Sequence, residues 1–258
     1  YGQDHVTSVL RREVATGKIS HAYLFCGSRG TGKTSCAKIL AKAVNCENPQ
    51  DGEPCGECPS CRLIDNGTAT DVLELDAASN NGVENVRDIR DEVVYTPAAL
   101  RRRVYIIDEV HMLSVAAFNA LLKTLEEPPA HVVFILATTE PHKLPPTIIS
   151  RCQRFDFRRI DNASIIKRLS EIASAEGIEL EPGAASLIAR LAQGGMRDAI
   201  STLELCAGDG APVTEKKVRA VTGAADRGLL LAAVRAVQER DTEAIFNVIE
   251  RAYEASQT

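Results

Sequence analysis

Gly27-Ser28-Arg29-Gly30-Thr31-Gly32-Lys33-Thr34 fits the pattern Gly-x-x-x-x-Gly-Lys-Thr. Residues 21–26, His-Ala-Tyr-Leu-Phe-Cys, form a short apolar run before it, and Ala37, Leu40, Ala41 and Val44 recur at helical spacing after it. Strand, glycine loop and helix in that order predict a phosphate cradle. The glycines let backbone N–H groups turn toward phosphates, and the helix N-terminus adds partial positive charge. Lys33 would reach the outer phosphates, the Thr34 hydroxyl would ligate magnesium, and Ser35 would close the cradle. A glycine-rich turn that binds nothing would not need the flanking strand and helix.

A chain of 258 residues is long enough for one large domain or two modest ones. The net charge of −5 argues against a surface that grips nucleic acid everywhere, so any DNA contact must be local. Trp is absent and aromatics are 4%, which disfavours base stacking and favours backbone contacts. No run approaches the ~20 apolar residues of a membrane span, and the start has neither a basic nor an apolar leader segment. A soluble cytoplasmic protein without membrane contact is expected. The missing initiator Met and the abrupt end at Thr258 suggest a fragment of a longer protein.

Val6, Val9, Leu10 and Val14 mark an entry helix closed by Gly17. Residues 45–70 form an insert too long for an ordinary connection, so something besides a hydrophobic core should order it. Within it Cys46, Cys55, Cys58 and Cys61 are spaced Cys-x8-Cys-x2-Cys-x2-Cys, suited to one tetrahedral zinc. Disulfides are disfavoured in a reducing compartment. An iron–sulfur run would want its next ligand at position 65, which is Asp65. Zinc is therefore favoured, and with four ligands used the site is structural. Cys26, Cys36, Cys152 and Cys206 are isolated and read as packing residues.

A helix with Val83, Val86 and Ile89 carries Arg87 and Arg90, which as a rule would be a solvated face. Residues 104–107, Val-Tyr-Ile-Ile, then run into Asp108-Glu109. After a phosphate loop, a strand ending in adjacent carboxylates supplies a magnesium ligand in Asp108 and a residue that activates the attacking water in Glu109. The order of elements implies a further strand between the loop strand and the Asp-Glu strand. No Asn-Lys-x-Asp base-reading motif is present, which disfavours a GTPase. A helix over residues 114–125 precedes a buried strand over residues 132–137 that ends in Thr138-Thr139. Hydroxyls there lie where the terminal phosphate and water should be, or else bond the turn. Arg151 follows in a Pro-rich connection with no obvious carboxylate partner nearby in sequence. Beyond Ile160 the strand-like runs stop and glycine punctuation divides a helical region. Arg197, in the first turn of one of its helices, opposes the macrodipole and calls for something negative outside.

Gly-Ser-Arg-Gly-Thr-Gly-Lys-Thr, the four-cysteine insert, Asp-Glu-Val-His, Ala-Thr-Thr-Glu, Ser-Arg-Cys and Gly-Gly-Met-Arg-Asp-Ala together resemble the AAA+ ATPases, and within them the bacterial clamp-loader motors of DNA polymerase III. The resemblance implies an α/β fold: a RecA-like P-loop domain with a parallel sheet over residues 1–160, a helical lid over 161–223 and the start of a helical collar over 224–258. It implies ATP, Mg2+ and Zn2+ as cofactors, with Thr139 as sensor 1, Arg197 as the sensor-2 arginine and Arg151 as an arginine finger given to a neighbour. Its partners would be other clamp-loader subunits in a five-membered hetero-oligomeric ring, the sliding clamp and primed template DNA. Arg87, Arg90 and Lys123 become candidates for DNA-backbone contacts. Three other readings compete. A non-hydrolysing stator subunit would be expected to lack Lys33 or Glu109, a branch-migration helicase would lack the cysteine insert, and a zinc-based binding module would not need the ATP site.

Overall fold

A computed structural model describes residues 1–224 and 227–256 and divides them into two compact units, Tyr1–Arg159 and Ile160–Thr258. The first unit alternates strands and helices. In order these are α1 (Asp4–Thr16), β1 (Ala22–Gly27), α2 (Lys33–Asn45), α3 (Pro59–Asp65), β2 (Val72–Asp76), α4 (Val83–Glu92), β3 (Arg103–Asp108), α5 (Val115–Glu126), β4 (Val132–Thr138), the short α6 (Pro146–Ile149) and β5 (Gln153–Phe157).

The five strands form one parallel sheet in the order β2-β3-β4-β1-β5. β4 thus lies between the loop strand and the Asp-Glu strand, where the order of motifs called for an extra strand. Parallel strands need crossovers, and the helices that make them cover both faces, so the central strands read as continuous apolar runs. Every residue of β4 is buried. Side-chain alternation splits the core in two. Leu24, Tyr105, Ile107, Phe134 and Leu136 pack with α4 and α5 on one face, while Tyr23, Phe25, Ile106 and Ile135 pack with α1 and α2 on the other.

The insert is held by short links. The Asn45 side chain donates to the Ala41 carbonyl at 3.0 Å and accepts from the Arg102 N–H at 2.8 Å. Lys42 on α2 pairs with Asp65 at the end of α3 at 2.7 Å. Gly52, at φ +83°, lies so close to α1 that a Cβ there would sit 2.0 Å from the Arg11 carbonyl oxygen. That position accepts no side chain without pushing the insert off α1.

The second unit contains α7 (Asn162–Glu176), α8 (Pro182–Leu191), α9 (Met196–Ala207), α10 (Glu215–Thr222), α11 (Arg227–Glu239) and α12 (Thr242–Ser256). Asp161 caps α7 by accepting from the Ser164 N–H at 2.8 Å, and Gly177 ends it in the left-handed conformation. Ile165, Leu169, Ile188, Leu203 and Val218 meet in its core, and α11 packs on α12. Residues 225, 226, 257 and 258 of the expected collar lie outside the described residues. Among the described residues no helix is long and apolar enough to cross a membrane.

Candidate nucleotide site and cysteine cluster

The carboxyl ends of β1, β3 and β4 converge because these strands are neighbours in register, with Cys26 beside Thr138 and Ile107 beside Leu136. In an open parallel sheet that edge is where ligands bind. The loop after β1 leaves the sheet at Gly27, where a Cβ would meet the Phe157 carbonyl oxygen of β5 at 2.5 Å. Gly32 ends the loop at φ +98° as the N-cap of α2 and accepts from the Cys36 N–H at 2.9 Å. The N–H groups of the first turn of α2 have no partner within the helix and form a site for anions. The Thr31 hydroxyl donates to the Ser28 carbonyl at 2.8 Å, and the Gln3 amide reaches the Arg158 carbonyl at 2.7 Å and the Thr31 carbonyl at 3.4 Å. Ser28, Arg29 and Ser35 are exposed along the rim, and Gly30 turns at φ +74°.

Lys33 is only 6% exposed, and its ammonium donates to the Gly27 and Ser28 carbonyls at 2.8 and 2.9 Å. Burial lowers its pKa, while the nearby Glu109 and Asp108 carboxylates oppose the shift. The Thr34 hydroxyl donates to Asp108 Oδ2 at 2.5 Å, and Asp108 Oδ1 accepts from the Glu109 N–H at 2.9 Å. Glu109 has a left-handed backbone, φ +46° and ψ +43°, a conformation rare outside glycine. Its Oε2 accepts from the Thr139 hydroxyl at 2.9 Å and the Thr139 N–H at 3.3 Å. Lys33, Thr34, Asp108, Glu109 and Thr139 therefore occupy one site. A cleft of about 280 Å³ adjoins it, lined by Tyr1, Gln3, Gly32, Ser35, Cys36 and Ile39 among others.

Three groups have partners that the sequence alone did not supply. Arg151 does have a carboxylate partner: it donates to Glu126 at the end of α5 at 2.6 Å and to the Thr147 carbonyl at 2.8 Å. Glu126 is too far back in the chain for local inspection to connect the two. Arg87 and Arg90 pair with acids of their own helix, Glu84 at 3.4 Å and Asp91 at 2.7 Å, which offsets their charge. Lys123 is exposed on α5. The third is His111, named in Asp-Glu-Val-His but given no role, whose ring is 5% exposed and touches Glu109, Thr138 and Glu140. Its position two residues after Glu109 was the available signal. Arg197 is exposed at the second position of α9, with Asp198 beside it in the same turn.

The sulfurs of Cys46, Cys55, Cys58 and Cys61 all lie within 4.8 Å of one another, with pairs at 3.5 and 4.0 Å. Tetrahedral zinc with Zn–S bonds of about 2.3 Å requires sulfurs about 3.8 Å apart, so the cluster fits that ion. Backbone N–H groups of Cys55, Cys58 and Cys61 point at the Cys46, Cys55 and Cys58 sulfurs at 3.3 to 3.4 Å. Such donors stabilise thiolates. Cys58 also caps α3, and backbone donors bring its thiol down to about 6.

Residues 2–161 match the family model described as DNA polymerase III, delta subunit, and residues 164–204 match the one described as DNA polymerase III clamp loader subunit, ATPase lid domain. The chain is 62% identical over 203 residues to DNA polymerase III subunit tau of Bacillus subtilis, which covers 79% of this chain and 36% of that protein. It is 48% identical over 253 residues to the tau subunit of Escherichia coli, covering 97% and 39%. It thus spans less than two-fifths of the length of these curated relatives. Among solved structures, the RuvB Holliday junction branch migration motor of Thermotoga maritima has a TM-score of 0.60 at 19% identity, covering 92% of this chain and 77% of that one. A gamma subunit-related protein of the same organism has a TM-score of 0.53 at 21% identity, covering 95% and 76%. These two likenesses define the fold, a RecA-like AAA+ sheet followed by helices. The extensive identity to tau subunits defines the branch within it.

Proposed function

This chain belongs to the DNA polymerase III gamma/tau family of AAA+ clamp-loader subunits, and from that premise we propose that it is an ATP-hydrolysing motor that helps open a sliding clamp and load it onto primed template DNA in the cytoplasm. The observation that carries the ATPase reading is the convergence of Lys33 and Thr34 with Asp108, Glu109 and Thr139 at neighbouring strand ends. A stator subunit has no use for that set, and a branch-migration helicase does not account for the cysteine insert.

The loop N–H groups and the α2 N-terminus hold the phosphates, and Lys33 exchanges its carbonyl partners for phosphate oxygens. Thr34 and Asp108 are the residues that would hold magnesium, which when bound neutralises charge on the phosphates. Glu109 accepts the proton of the attacking water, and Thr139 orients the Glu109 carboxylate and the water. The cleft beside Ser35 and Cys36 takes the base. Arg197 of the lid over residues 161–223 takes the sensor-2 role that the family resemblance implies. Arg151 leaves Glu126 to stabilise a neighbour's terminal phosphate, at small cost because exposed pairs contribute about 1 kcal/mol or less. Lys123, and Arg87 and Arg90 once released from their local acids, contact the DNA backbone. Cys46, Cys55, Cys58 and Cys61 would hold zinc, which when bound would cross-link the insert. The test is ATP turnover by the full-length protein assembled with its partner subunits, with and without sliding clamp and primed DNA. Stimulation by both is expected. A rate indifferent to both, with Lys33→Ala inactive, would leave an ATPase but overturn clamp loading.

A further inference from the structure

His111 lies between two carboxylates and is shielded from solvent. Its Nδ1 is 3.0 Å from the Thr138 hydroxyl and 3.4 Å from Glu109 Oε2, and its Nε2 is 3.1 Å from Glu140 Oε2. The Glu140 carboxylate is in turn gripped by Lys143 at 2.8 Å, with His142 at 3.9 Å. The Lys143 hydrogen bond holds Glu140 below the usual carboxylate range, so Glu140 is ionised and only accepts. Nε2 therefore carries a proton and donates it. On the other side of the ring, Thr138 Oγ1 accepts from the Glu140 N–H at 3.0 Å, which ties the same hydroxyl to the turn that carries Glu140. The imidazole is thus fixed at both nitrogens by β4 and the turn after it.

Glu109 needs such a support. Its backbone is left-handed where β3 gives way to the turn of residues 110–112, and one carboxylate oxygen receives both Thr139 contacts and the edge of the His111 ring. We infer that His111, anchored by Glu140, is a positioning residue that sets where the Glu109 carboxylate rests. In this role it acts through Glu109, its contact at the site. The inference rests on the reading of Glu109 as the residue that activates water. It also links that carboxylate to an exposed turn, residues 140–143, through one buried ring.

The test uses the full-length protein in its assembly, with kcat and KM for ATP measured for Glu109→Gln, His111→Ala, His111→Asn, Glu140→Ala and the double variant His111→Ala/Glu140→Ala. Misplacing a reacting group by a fraction of an ångström is enough to lower kcat by about 10-fold or more. That loss is expected for His111→Ala, with KM unchanged. His111→Asn, whose amide replaces the Nδ1 contacts, should recover most of the rate. Glu140→Ala should fall between, and the double variant should be no slower than His111→Ala alone because both act through one ring. A folded His111→Ala with the unsubstituted kcat, a raised KM with kcat kept, or losses that multiply in the double variant would overturn the inference. Should His111→Ala fail to fold, Glu140→Ala, at a half-buried position nearer the surface, decides, since an unchanged kcat there removes the anchor from the argument. Full turnover in Glu109→Gln would instead sink the water-activating reading beneath it.

Discussion

The Thr34 hydroxyl donates to Asp108 Oδ2 at 2.5 Å, joining the start of α2 to the end of β3 across 74 residues of chain. Each group is a hard oxygen donor, and their contact places both at one point beside the phosphate loop. Thr34→Val keeps the shape of the side chain and removes the hydroxyl. Its expected effect is loss of the magnesium dependence of nucleotide binding and a fall in turnover of about 10²-fold or more. Binding titrations with and without magnesium check this, and an unaltered magnesium response would remove Thr34 from the ion's shell.

Lys33→Ala should abolish nucleotide binding while leaving the far-ultraviolet circular dichroism unchanged, because its ammonium bonds only two loop carbonyls. Glu109→Gln separates binding from chemistry. The amide still accepts from Thr139, so nucleotide should bind with near-normal affinity while hydrolysis drops by roughly 10²-fold or more. Filter binding and single-turnover hydrolysis on the same preparation distinguish the two steps.

Native mass spectrometry should find one zinc per chain, retained through desalting and lost in Cys58→Ser. Opening a closed four-thiolate site removes most of its affinity. Because Gly52 and Asp65 dock the insert on α1 and α2, metal removal should also lower the melting temperature of the first unit. A visible iron–sulfur absorbance, or a metal-free reduced protein, would contradict zinc.

Arg151→Ala should leave nucleotide affinity of an isolated chain unchanged and abolish stimulated turnover in the assembly, by about 10³-fold or more if it serves a neighbour's phosphate. Glu126→Ala should not mimic it. Freeing Arg151 from a half-exposed carboxylate is expected to change stability by about 1 kcal/mol or less and to leave the stimulated rate intact or raise it. A monomer that loses nucleotide affinity on Arg151→Ala would make the arginine a local support.

Burial pushes the Cys36 thiol up to about 11 and the Cys152 thiol up to about 12. Both thiols stay protonated in the folded chain at pH values where they ionise in the unfolded one. Folding stability should therefore fall as pH rises above about 8.5, with the slope from Cys36 ending near its folded value and that from Cys152 slightly higher. Denaturant titrations between neutral and alkaline pH should show a shallower decline for Cys36→Ala and Cys152→Ala. Neither thiol should react with iodoacetamide in native protein at pH 8.

Several features were legible in the chain because they depend on residues close together in sequence. The phosphate loop follows from glycine φ and an adjacent strand and helix. The entry helix ends at Gly17 because only a residue at ease at φ +71° continues the chain there. The three-residue steps between Cys55, Cys58 and Cys61 bring those sulfurs together where the chain enters the first turn of α3. The presence of an extra strand between the loop strand and the Asp-Glu strand was also expected from the order of motifs, while its identity as β4 came from the sheet itself.

The partnerships between strand ends were settled only by tertiary structure. Glu109 and Thr139 meet because β3 and β4 are neighbours in register, and His111 is caught between Glu109 and Glu140 because the turns after those two strands fold over the same edge. Arg151 finds Glu126 through the packing of α6 on α5, which no pattern within a few residues of Arg151 encodes. Hydrophobic periodicity determines which face of an element is buried. Which two polar side chains then come within 3 Å depends on register and on the path of the connecting turns, and those are fixed only when the whole sheet packs.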